Sequence, residues 1–165
     1  MKTKRLVTLS ALVAVAMILS YIESLIPVFI AIPGVKLGLS NIATVFTLYI
    51  LGAPAAICVT LVRVSLSSLL FGSVTSFLYG ISGAFLSLLA MYLLHRLSGI
   101  SPIGVSTVGG VLHNIGQIAM AALIMGSGAI FSYLPVLLVS GTVAGTVIGT
   151  VGGILAKRLE KVLKF

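Results

Sequence analysis

From Ile103 to Met125 the chain carries no Asp, Glu, Lys or Arg. A helix of that length, rising ~1.5 Å per residue, crosses a hydrocarbon core of about 30 Å. Comparable apolar runs recur along the chain, at about Leu6–Ile26, Leu37–Leu51, Pro54–Phe71, Ser76–His95, Ile103–Met125 and Tyr133–Ala156. They are separated by breakers: Pro27, Pro33-Gly34, Gly52-Ala53-Pro54, Gly72-Ser73, Ser98 to Pro102, and Gly126-Ser127-Gly128. In lipid, each segment must satisfy its own backbone polar groups. The pattern therefore predicts an all-α integral membrane protein, a bundle of six transmembrane helices forming one domain over residues 1–165. The second run is the short one.

Charge sets the expected orientation. Of ten basic residues, all but Lys36, Arg63 and Arg96 lie at the two ends. With six spans both ends share one side, and positive residues mark that side as cytoplasmic. His95-Arg96 follows the fourth span onto the same side. The expectation is a multi-pass protein of the plasma membrane, surrounded by membrane lipid, with both termini cytoplasmic. The N-terminal apolar run reads as a retained first span, because Ser20-Tyr21-Ile22-Glu23-Ser24 is a poor cleavage site. The net charge of +8 is thus topological and predicts no nucleic-acid partner.

Whole classes of chemistry lack their residues. Asp is absent, the acids are Glu23 and Glu160, and Cys58 is the single cysteine. No paired carboxylates, thiolate metal site or P-loop can be drawn. The sequence predicts no catalytic residues, no metal and no cofactor, hence no enzyme; any ATP use belongs to a partner. No repeat of roughly 20–50 residues is evident either, so an inverted-repeat transporter is not expected.

The informative polar residues lie at bilayer depth. Gly110, His113, Asn114 and Gln117 fall at i, i+3, i+4 and i+7, one face of a helix. Hydrogen-bonding side chains there face protein, water or ligand rather than lipid. They are read as a wall of a substrate cavity, with bonding across helices as the alternative. Arg63, mid-span, either meets Glu23 and backbone carbonyls or takes an anionic group of a ligand. Lys36 and Asn41 flank the start of the second run and are candidate ligand contacts. Tyr79 and Tyr133 read first as interfacial tyrosines, and Tyr79 second as a stacking contact for ligand. The segment from Pro27 to Lys36 is apolar yet carries two prolines, which suits a lid folded over the outer mouth or a loop among headgroups.

Two small-residue patterns predict close helix approach. Gly141, Gly145, Gly149 and Gly153 recur every fourth position, and face either an internal helix or another protein. Ser10, Ala11 and Ala14 form a weaker patch on the first helix.

Pro33-Gly34-Val35-Lys36-Leu37-Gly38-Leu39-Ser40-Asn41, followed by Arg63-Val64-Ser65-Leu66-Ser67-Ser68-Leu69-Leu70-Phe71-Gly72, resembles the Gx transporter family, often labelled heptaprenyl diphosphate synthase component I. The similarity covers essentially the whole chain and extends to the substrate-binding S components of energy-coupling-factor (ECF) transporters. It implies a six-helix bundle with an outward-facing site under a lid. It further implies a small vitamin-like or heterocyclic substrate, and partnership with a transmembrane coupling subunit and ATPases. Such proteins use Ala-x-x-x-Ala on the first helix for the coupling subunit; here Ser10-x-x-x-Ala14 is the nearest match. The family label also implies an alternative, a non-catalytic membrane accessory of a prenyl diphosphate, quinone or flavin-linked redox system.

Overall fold

The computed structural model describes residues 2–25, 38–97 and 99–159. The expected lid at Pro27–Lys36, and with it Lys36, lies outside the described residues. What is described is helical: α1 (Lys2–Leu25), α2 (Asn41–Leu51), α3 (Ala53–Phe71), α4 (Val74–Arg96), α5 (Pro102–Met125) and α6 (Leu134–Leu159), with a 3-10 turn at Gly128–Tyr133 before the last. Five of these helices, counting the 3-10 turn with α6, are long and apolar enough to cross a membrane, and α2 is the shorter apolar one.

The breakers act as their chemistry requires. Gly52, at φ +85°, turns α2 into α3, and Pro54 sits in the first turn of α3, where its missing N–H costs nothing. The hydroxyls of Ser73 and Ser101 accept from the N–H groups of Ser76 and Gly104 and so cap α4 and α5. Gly126 closes α5 in the left-handed region that a side chain would resist.

Helix α2 begins at Asn41, after a turn at Gly38–Ser40, and its 11 residues cover only ~16 Å. Its neighbours fix its depth. Ile42 and Val45 approach Gly152, and Gly38 approaches Ile148, all partway along α6. The N-terminus of α2 therefore opens inside the bundle. Its other end reaches the basic face, where the Arg5 guanidinium donates to the Leu51 carbonyl at 3.3 Å.

Helix α5 is the central post, packed on α4 and α6. Glycines make both seams. A Cβ on Gly145 would lie 2.6 Å from the Ser106 carbonyl, and one on Gly149 would lie 2.8 Å from the Ile103 Cα. Gly141 faces Gly110 and Val111, and Gly153 faces Pro102. The four-residue glycine ridge of α6 is thus occupied inside the bundle by α5. On the other flank Gly116 meets the backbone of Ser82 and Gly83, and the Ser82 hydroxyl donates to the Gly116 carbonyl at 3.0 Å. The core between these layers is Val45, Leu48, Ala56, Met91, Val105 and Ile148. Helix α1 is peripheral: Leu9, Leu12, Val13 and Ala16 pack on Ala43 and Val59, while Ser10, Ala11 and Ala14 are exposed.

Because Gly145 abuts backbone that has nowhere to retreat, Gly145→Ala should destabilise the fold by roughly 1–3 kcal/mol. Gly128, with open space where its Cβ would stand, should accept Ala with little change. Thermal unfolding of both variants in detergent measures the difference; equal melting points would contradict the backbone seam.

Candidate functional site

A cavity of about 40 Å³ lies at mid-depth among α1, α2, α3, α5 and α6. Its polar lining is Glu23, Ser40, Asn41, Arg63, His113, Asn114 and Gln117, and Ala144 and Ile148 supply an apolar wall. Of the expected binding residues, the cavity gathers Asn41, Arg63, His113, Asn114 and Gln117 from three separate helices.

Arg63 is the charged centre, 8% exposed. One terminal nitrogen donates to the Ser40 hydroxyl at 2.7 Å and the other to the Asn41 side-chain oxygen at 3.2 Å. The Arg63 Nε is buried with no hydrogen-bond partner. Among the described residues no ion pair joins Arg63 to Glu23. Glu23 instead accepts from the Gly38 backbone N–H, which pins the turn that presents Ser40 and Asn41. Neutral oxygens hold the guanidinium, and the carboxylate, in the same cavity, holds the turn.

The short helix explains why Ser40 is available. Ser40 occupies the N-cap position of α2, yet its side chain caps no backbone N–H, and its hydroxyl receives Arg63 instead. The positive end of the α2 dipole points at the same place. Below the turn, the hydroxyls of Thr44 and Thr60 bond at 2.9 Å and tie α2 to α3. The cavity thus holds a cation, Arg63, and a carboxylate, Glu23, engaged by the Gly38 N–H, and the guanidinium Nε, helix N-terminus and amide groups can together take an oxygen acceptor.

The α5 stripe divides its labour. The Asn114 amide donates to the Leu137 carbonyl at 2.8 Å and to the Ser140 hydroxyl at 3.3 Å, so this side chain joins α5 to α6. Gln117 is 6% exposed, and no hydrogen bond joins its amide to another described residue. His113 and Gln117 pack over Gly83, where an added Cβ would meet the Gln117 side chain at 2.9 Å. Gly110 also lines the cavity. It brings α6 in, with the Gly141 carbonyl 2.5 Å from where a Cβ would be.

Tyr79 stands apart. It lines an adjoining hollow, also of about 40 Å³, with Tyr133, Ile118, Met125 and Gln117. Gln117 is therefore the residue common to both spaces. Ser40 joins the site beside Asn41; its signal is Gly38-x-Ser40-Asn41, a turn followed by a helix-starting pair. Among the described residues no three His, Cys, Asp or Glu side chains cluster as metal ligands would.

The two amides should separate on substitution. Asn114→Leu removes an interhelical bond and should lower stability by roughly 0.6–1.7 kcal/mol, whereas Gln117→Leu should leave it unchanged. Unfolding in detergent or bicelles reads both; an equal loss would make Gln117 structural too.

No curated protein matches the chain. A solved structure described as the structure and mechanism of the S component of a bacterial ECF transporter superposes on it with a TM-score of 0.69. The two are 24% identical, and the match covers 100% of each chain. The helix arrangement built around Arg63 is accordingly the S-component fold. The family model for heptaprenyl diphosphate synthase component I matches residues 12–155, from α1 to the last turns of α6, and the chain belongs to that family.

Proposed function

We propose that the protein is a non-enzymatic, membrane-embedded substrate-binding subunit of an ECF-type importer, and that its ligand is a small vitamin-like or heterocyclic molecule bearing an anionic group. The observation that carries this is the buried Arg63 guanidinium, which bonds the neutral oxygens of Ser40 and Asn41, keeps its Nε without a hydrogen-bond partner, and shares its cavity with Gln117. A buried guanidinium N–H left without an acceptor lowers stability, which is understandable where a ligand supplies the missing oxygen. In this proposal Arg63 receives the anionic group, and Asn41, His113 and Gln117 read polar edges of the ligand. Asn114 sets the spacing of the wall. Lys36 and Tyr79 remain part of the proposal as contacts at the mouth.

A cavity of about 40 Å³ has room for a few waters at most, so a vitamin-sized ligand requires the site to widen. The proposed route is from the end opposite Arg5, Arg96 and Lys157, with both termini cytoplasmic. Ser10, Ala11 and Ala14, exposed on α1, are the proposed contact for a transmembrane coupling subunit that brings the ATPases. Their small side chains permit close helix approach, a role the glycines of α6 already perform internally.

The family's description supports a second reading, an accessory of a prenyl diphosphate-forming enzyme. A chain with no Asp offers no Asp-rich site for Mg²⁺-diphosphate, so in that reading it would be a partner rather than the catalyst.

Native mass spectrometry of gently solubilised protein separates the two. The expected spectrum carries a bound small molecule that Gln117→Leu or Arg63→Gln reduces at least tenfold. A ligand-free protein held tightly to a prenyltransferase would contradict the proposal.

A further inference from the structure

A second and larger space lies on the lipid-facing side of the bundle, apart from the Arg63 cavity. It is a groove of about 370 Å³ between α3 and α4, floored by Leu48 of α2. Ile57 and Leu61 form one bank, and Ile81, Leu88 and Tyr92 the other. Apart from the Tyr92 hydroxyl no polar side-chain group lines it, so nothing within it can orient a polar ligand. Its filling must be hydrocarbon.

Length and charge say which hydrocarbon. Ile81 to Tyr92 is ~16 Å of helix, about half of a ~30 Å core and so the depth of a single leaflet. A partner's transmembrane helix would call for a groove along the whole span. The groove ends at the basic face. The Arg96 guanidinium lies 4.6 Å from the centre of the Tyr92 ring, and Arg5 is anchored on the Leu51 carbonyl, two residues from Ala53 in the lining. Lys157 and Arg158 end α6 on the same face, and none of the described residues there is acidic.

We infer that this groove is a site for one anionic phospholipid, with an acyl chain between Ile57 and Leu88 and the phosphate headgroup on Arg96. Basic pockets between helices at a membrane surface bind anionic headgroups, each Lys or Arg strengthening the attraction. Tyr92 serves both ends: its ring closes the apolar groove and steers the guanidinium above it. The site does not depend on transport, because it shares no lining residue with the Arg63 cavity.

The test is native mass spectrometry of delipidated full-length protein, titrated with phosphatidylglycerol and phosphatidylcholine of identical chains. One phosphatidylglycerol should be retained in preference to phosphatidylcholine. Ile57→Trp and Leu89→Trp, both at exposed positions of the lining, should each fill the groove and lower that occupancy at least tenfold. Arg96→Gln should lower the preference on the order of fivefold while leaving chain binding intact. Equal retention of the two lipids would overturn the inference. So would retention that neither tryptophan reduces, or a dimer of the chain that Ile57→Trp dissolves.

Discussion

Placing a guanidinium at the centre of an apolar bundle costs about 2.5–3.5 kcal/mol or more, and the surrounding elements meet that cost with the neutral oxygens of Ser40 and Asn41 and with the Glu23 carboxylate in the same cavity. Ser40 and Asn41 reach Arg63 because α2 starts halfway into the bundle. The turn before α2 stays there because Glu23 holds the Gly38 N–H. A full-length second span would carry Ser40 and Asn41 toward the surface and leave Arg63 without acceptors. The short helix is thus a condition of the buried charge, and it turns the positive end of its dipole toward the same point.

Close packing keeps that point small. The glycines of α6 bring its backbone onto α5, and those of α4 and α5 do the same on the other flank. Without side chains in the seams, α5 is gripped from both sides, and its polar stripe has a fixed position relative to Arg63. Asn114 adds a bond to the Leu137 carbonyl of α6. Gln117, one turn on, lines the cavity with its amide bonded to no other described residue, and it also borders the hollow under Tyr79 and Tyr133. Movement of α6 against α5 would therefore alter both spaces together.

Much of this is legible in the residues themselves. Long apolar runs with Pro and Gly between them specify the helices, because lipid leaves the backbone no other solution. The i, i+3, i+4, i+7 spacing puts His113, Asn114 and Gln117 on one face, and the glycine repeat marks a seam. Identity of the partners is less legible. Nothing in the spacing of Gly141 to Gly153 distinguishes α5 from a separate protein, and nothing in the place of Gly110 beside a polar stripe shows that it both lines the cavity and admits α6. Arg63 and Glu23 invite direct pairing as opposite charges, yet within the one cavity they share, the guanidinium bonds Ser40 and Asn41 and the carboxylate bonds the Gly38 N–H. Such choices depend on helix tilt and depth, which a one-dimensional pattern does not carry. Tyr79 is displaced for the same reason: its place on α4 aims it at the adjoining hollow.

The central claim is that Arg63 keeps an unpaired edge for an anionic ligand. An experimental structure of the protein in lipid, at a resolution that shows side chains and with its copurified small molecule retained, tests this most directly. The account predicts an acidic group of that molecule within about 3.2 Å of the guanidinium, with the Gln117 amide bonded to it and the cavity widened. A guanidinium paired with the Glu23 carboxylate, and a cavity holding water alone while the molecule sits elsewhere, would contradict it.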